Sequence, residues 1–314
     1  MNSAKRLPLD SPLWSRFQTF GIAPGRLPLI LKKLTKDAAN PMDPSLDELV
    51  SGIFDEYSLT NATYAAFPYL AEIYARYANT NPSLFYLAAN IASSSNVYQI
   101  DLPPEVREAF LATLIEFETI AISRIVTKGQ PIRDVYNSCV ASMAFSQHCC
   151  GKLLMDVLEA EPDGTKHTGL ICPQCQQHIE VILFKEGAVL IEPGRQPQPP
   201  EPPKALTPPT LRSYVARRSP NPWQFVGPFL SQELRLTSIS ETEQAHVELA
   251  TGLCANGFGP HVPSEDAFSL IGSILLAHGF ASSARRFFRL WDTVTCTECK
   301  STFIAGKRWW GCVT

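Results

Sequence analysis

Two Cys-x-x-Cys pairs, Cys172-Pro-Gln-Cys175 and Cys296-Thr-Glu-Cys299, constrain this 314-residue chain more than any other feature. Two thiols at that spacing converge on one side of a tight turn, which makes half of a tetrahedral metal site. Two such turns complete it. The turns are 120 residues apart, from Gln176 to Thr295, against roughly 15–20 in a contiguous zinc ribbon. One shared site therefore requires 176–295 to be an insertion between two ribbon halves. Chain entropy permits this, because the cost of closing a loop grows only logarithmically with its length. The expected cofactor is structural zinc held by Cys172, Cys175, Cys296 and Cys299, coordinatively closed and without catalysis of its own. Two readings compete with it. One is separate sites, such as Cys172, Cys175 and His178 with His167 or Cys150; the other is no metal. Redox-active dithiols lack a βαβ pattern here, and haem attachment needs a histidine where Gln176 and Lys300 stand.

The other cysteines, 139, 149, 150, 254 and 312, read as buried packing residues. Nine is an odd number and no export segment is evident, so a disulfide framework is not expected. The residues from Met1 to Pro8 lack the apolar core of a signal peptide. The longest mostly apolar stretch, Phe268 to Ala281, falls short of the roughly 20 residues of a membrane span. The expectation is a cytoplasmic protein with no membrane partner. With 45% hydrophobic and 18% charged residues, the chain can bury a real core.

The periodicity predicts a mainly α fold of stacked antiparallel helix pairs, HEAT-like, with a small zinc-ribbon-like β element. Residues 1–162 read as the helical stack. Its segments are 11–21, 25–36, 45–54, 60–77, 83–94, 104–127, 135–147 and 152–159, and Pro68 is expected to kink or restart the fourth. Residues 163–192 read as the first half of the ribbon, with a strand at His178 to Phe184, a turn at Gly187 and a second strand to Ile191. Eight prolines among 193–209 mark 193–223 as an extended linker. Residues 224–292 read as C-terminal helices, Ser240 to Asn256 and Ser264 to Trp291, the latter broken at Gly279. Residues 293–314 read as the second half of the ribbon. An internal echo runs through the chain: helix, histidine, amphipathic helix and Cys-x-x-Cys occur from Val135 to Cys175 and again from Glu265 to Cys299.

Charge is distributed unevenly. Between Ala38 and Ser123 there are eleven acids and two bases, a balance of −9 in a chain whose total is −3. The densest group is Asp43, Asp47, Glu48, Asp55 and Glu56. Such a surface steers basic partners, and these five are the candidate partner-binding residues. The remainder, at +6, offers an alternative as a zinc-containing nucleic-acid-associated protein. There Arg285, Arg286, Arg289, Lys300, Lys307 and Arg308 would meet phosphates, and Trp309 and Trp310 would stack on bases. No phosphate-binding, dinucleotide, nucleophile-elbow or zincin motif is present, so no enzyme activity and no small-molecule substrate is expected.

The segment Thr60-Asn-Ala-Thr-Tyr-Ala-Ala-Phe-Pro-Tyr-Leu70 resembles one found in bacterial HEAT-like helical proteins linked to immunity against polymorphic toxins. Ala62, Tyr64, Ala65, Ala66, Pro68 and Leu70 match that pattern. Thr63, Phe67 and Tyr69 depart from it, and the preceding His-Gln-Gly is missing. The resemblance implies a helical stack that sequesters and neutralises a toxin by protein–protein contact, the partner being a basic toxin domain.

Overall fold

A computed structural model describes residues 6–36, 43–55, 58–77, 83–151, 166–184, 187–190, 206–212, 220–235 and 237–308. The expected segment 152–159, most of the linker, Glu56, Trp309, Trp310 and Cys312 lie outside the described residues. The fold is mainly α, built of stacked helices with a small β element. It divides into two units, 1–119 and 120–314. The division falls inside a helix, and the described residues 120–151, expected with the N-terminal stack, fall in the second unit.

The first unit contains α1 (Leu27–Lys36), α2 (Pro44–Ile53), α3 (Asn61–Tyr77), α4 (Ser83–Ser94) and most of α5 (Pro104–Ile125). The N-terminal segment expected to be helical forms only a short 3-10 turn, Pro12–Arg16, capped by Ser11. Asp43 caps α2 by accepting from the Ser45 amide, with Pro44 in the first turn, where a missing N–H costs nothing. The helix α3 is the centre of the unit. Ala62, Tyr64, Ala65, Ala66, Phe67, Tyr69, Leu70 and Ile73 are all buried, and the assigned helix runs through Pro68 without interruption. Phe67 sits between Phe110 and Phe117 of α5, with ring centroids 4.6 and 5.5 Å away. The alanines of the Thr60–Leu70 segment thus answer a packing need, since small side chains allow helices to approach closely.

The second unit contains α6 (Ile132–Phe145), α7 (Val226–Leu234), α8 (Glu241–Asn256), α9 (Ser264–Ala277) and α10 (Ala281–Phe288). Its β element is two separate sheets. One has the order β1-β2-β3 (Lys166–Ile171, His178–Phe184 and Gly187–Leu190), and the other pairs β4 (Thr293–Thr295) with β5 (Thr302–Ile304), both antiparallel. The core forms around α9, whose residues from Ser264 to Leu276 are buried throughout. The long apolar stretch is therefore a central helix. Among the described residues no helix is long and apolar enough to cross a membrane. Gly279, at φ 86°, stops α9 where the sequence places the break. Ser240 and Glu243 form a capping box at the start of α8, and Arg285 pairs with Glu243.

Two buried histidines brace this core. His246 stacks on Phe288 with centroids 4.2 Å apart, and its Nδ1 meets Ser269 Oγ at 2.9 Å. Burial lowers its pKa to about 4, so the folded state holds it neutral. Burial also lowers His148. The unfolded chain binds these protons near pH 6.5 and the folded chain does not. Stability is therefore full above that value and falls as the pH drops below it. For His246 alone the loss from pH 7 to pH 5 is about 2 kcal/mol. Urea titrations at the two pH values check this, and His246→Phe is expected to flatten the dependence.

Candidate metal centre

Each Cys-x-x-Cys pair is the turn of a hairpin. Ile171 pairs with His178 across the first, and Thr295 pairs with Thr302 across the second, so six residues close each loop. The two turns have the same backbone plan. The amide of Cys172 donates to the Gln177 carbonyl at 3.0 Å, and that of Cys296 to the Ser301 carbonyl at 2.9 Å. The Gln176 amide returns to the Cys172 carbonyl at 3.0 Å, and the Lys300 amide to the Cys296 carbonyl at 3.1 Å. Gln176 and Lys300 follow the second cysteine of each pair and take left-handed conformations, φ 59° and 62°. A side chain there costs roughly 1–2 kcal/mol. The turns hold that strain while aiming both thiols to one side.

The two turns meet. The Sγ atoms of Cys172, Cys175, Cys296 and Cys299 all lie within 4.8 Å of one another. Cys172 and Cys299 are 3.5 Å apart, and Cys175 and Cys296 are 3.7 Å apart. A disulfide would need about 2.05 Å, whereas a tetrahedron with metal–sulfur bonds of about 2.3 Å needs edges of about 3.8 Å. Four cysteines thus form a group that can hold a metal ion, with Cys172 and Cys296 buried and Cys175 and Cys299 at the surface.

Burial opposes ionisation of Cys172, but hydrogen bonds from Ser301 and from the Cys175 and Gln174 amides outweigh it and bring the thiol down to about 6. Ser301 also lowers Cys299, through its hydroxyl and its amide. Cys175 moves the other way. The Gln177 amide favours its thiolate, but burial and the neighbouring sulfurs push it up to about 12. Four like charges this close cannot coexist without a cation. A divalent ion held there would supply that charge, and four sulfur ligands would leave no open position for substrate or water.

Sequence reasoning missed Ser301, whose Oγ lies 3.2 Å from both Cys172 and Cys299 Sγ and ties the two turns together. The only available signal was a hydroxyl two residues after the second pair. Each turn belongs to its own sheet, the first to β1-β2-β3 and the second to β4-β5, and the internal echo has a counterpart in the order of the elements. The order α6, left-handed stop at Gln147, helical residues 149–151, β1, Cys-x-x-Cys, β2 is matched by α9, left-handed stop at Gly279, α10, β4, Cys-x-x-Cys, β5. Each copy contributes half a site.

The alternative ligands lie elsewhere. His178 is exposed at the start of β2, its ring over Gly169, where a Cβ would come within 2.5 Å of Nε2. The side chain of His167 lies outside the described residues. Cys150 groups with His148 and Cys149. In that group His148 Nδ1 accepts from the Cys150 amide at 3.1 Å, so Nε2 carries the proton and donates to the Val262 carbonyl at 2.7 Å. Both ring nitrogens are engaged, which suits a packing role. Burial pushes the thiols of Cys139 and Cys254 well up, so neither is nucleophilic.

The candidate partner-binding acids do not form one bare cluster. Asp43 pairs with Lys33 at 3.0 Å, and Glu48 pairs with Arg26. The Ser45 amide and then Lys33 hold Asp43 below the usual carboxylate range, and Arg26 does the same for Glu48. Asp47 and Asp55 are exposed, and Glu56 lies outside the described residues. A second acidic row, Asp101, Glu105, Glu108 and Glu116, is exposed before and along one face of α5, with no ion pair recorded among the described residues. Several candidate phosphate-binding cations are engaged internally: Arg285 with Glu243, Arg289 with Asp292 and Lys307 with Glu265.

No family model, curated protein or solved structure matches the chain.

Proposed function

We propose that the chain is a zinc-stapled helical protein that acts by binding a basic protein partner through the acidic surface of its first unit. The closed four-sulfur cluster carries this reading. A tetrahedral all-sulfur set selects zinc or iron over hard cations. Its lack of an open position makes the metal an architectural element rather than a reagent, so the function resides in a surface. The acids of that surface are Asp47 and Asp55 together with Asp101, Glu105, Glu108 and Glu116. Asp43 and Glu48 contribute less, because Lys33 and Arg26 already neutralise them. In line with the Thr60–Leu70 resemblance, the partner is a toxin domain and binding neutralises it stoichiometrically.

Capture from a lysate with the partner identified by mass spectrometry tests the reading, with metal content measured on the same sample. Reversing Glu105, Glu108 and Glu116 to lysine is expected to slow association with the captured partner by on the order of tenfold at low salt. It should also flatten the salt dependence. An unchanged association rate removes the acidic-surface reading.

A further inference from the structure

Residues 206–212, Leu-Thr-Pro-Pro-Thr-Leu-Arg, cross the second unit in neither helix nor strand. Thr207 and Pro208 each precede a proline, which holds their backbones extended. Every third side chain points inward, the spacing of a polyproline-type helix. Leu206 packs on the core, Pro209 is buried, and Arg212 reaches two acids. Pro208, Thr210 and Leu211 face solvent. Arg212 Nη2 lies 2.7 Å from Glu265 Oε1, and Nη1 lies 3.0 Å from Asp266 Oδ2, with the guanidinium carbon 5.8 Å from the Trp291 ring centroid. Those carboxylates are 3% and 0% exposed, so they stay charged in the interior only against a fixed cation.

The segment is anchored at one foot of the cysteine-bearing hairpin β4-β5. Thr207 donates to Asp292 Oδ1 from its hydroxyl at 2.7 Å and from its amide at 3.3 Å. Asp292 immediately precedes β4, and its carbonyl accepts from the Ala305 amide, just after β5, at 3.1 Å. On the other side Lys307 stands 3.8 Å from Glu265, the acid that holds Arg212. A two-stranded ribbon with three residues in each strand is not stable alone. A metal at its tip would supply the missing constraint, and Asp292, which holds Thr207, stands at the foot of that ribbon.

We propose that residues 206–212 form a metal-controlled strap. With the four-sulfur site filled, the strap lies closed over Glu265, Asp266 and Trp291. Emptying the site releases it and uncovers an acidic and aromatic cleft suited to the guanidinium of an arginine-bearing segment. This inference rests on the metal reading above.

Trypsin provides the test, because it cuts after Arg212 only when that side chain leaves its carboxylates. The full chain is digested with zinc bound and after chelation. Cleavage at Arg212 is read by mass spectrometry, helix content by far-ultraviolet circular dichroism, and zinc by elemental analysis. The expected result is cleavage at Arg212 on the order of tenfold faster without metal, with the helical signal retained. Thr207→Val, which leaves every sulfur in place, is expected to speed cleavage in the zinc-loaded chain. Equal cleavage with and without metal overturns the strap while the zinc reading stands, and so does collapse of the whole helical signal on chelation. Unchanged cleavage in loaded Thr207→Val also overturns it. A chain that takes up no zinc overturns both.

Discussion

Cys296→Ser protein is expected to purify without stoichiometric zinc, its affinity reduced by roughly two orders of magnitude or more. Cys296 is buried, and its Sγ lies 3.7 Å from that of Cys175, so a hydroxyl there breaks the set from the interior side. Cys172→Ser is expected to do the same, although it lies 124 positions earlier. If the pairs bound separate ions, each variant would retain half of the metal. Cys149→Ser is expected to leave the zinc content unchanged, because Cys149 belongs to the other thiol group, where His148 is committed to backbone. Elemental analysis against protein concentration separates these outcomes. The metal-free variants should also lose amide protection in both turns, since the left-handed Gln176 and Lys300 are strained and only short backbone hydrogen bonds would then hold them.

Trp223→Ala is expected to cost about 4 kcal/mol. Trp223 is fully buried, its ring centroid 5.0 Å from that of Phe258, and its Nε1 donates to Ser146 Oγ at 3.2 Å. Asn221 positions it, accepting from the Trp223 amide and donating to the Cys254 carbonyl at 2.9 Å. Truncation leaves a large cavity and removes the indole donor from Ser146 Oγ, which still donates to the Ser142 carbonyl at 2.8 Å. Chemical unfolding measures the loss. Trp223→Phe should recover most of it, and zinc stoichiometry should be unaffected.

The helices were legible because each carries its own evidence. Ser240 and Glu243 announce the start of α8, and Gly279 announces the end of α9. The surface charges were less legible. Counting acids from Ala38 onward leaves out Arg26 and Lys33, which fold back from the preceding segment and neutralise Glu48 and Asp43. Charge along the chain is additive, but pairing in space is not. The same limit hid the Arg212 latch, since nothing in Leu-Arg-Ser indicates two buried carboxylates more than fifty residues away.

Local chemistry alone determined the thiol turns. A Cys-x-x-Cys pair closes its own tight loop, so Cys172, Cys175, Cys296 and Cys299 were identifiable as ligands without any long-range information. Only the tertiary structure decided that the two loops face each other. It also decided that each loop lies in a sheet of its own and that Ser301 lies between them. The physical reason is range. Turn geometry depends on a few adjacent dihedrals, whereas the meeting of distant turns depends on how the buried faces of α6, α9 and α10 pack, which no short stretch of residues encodes.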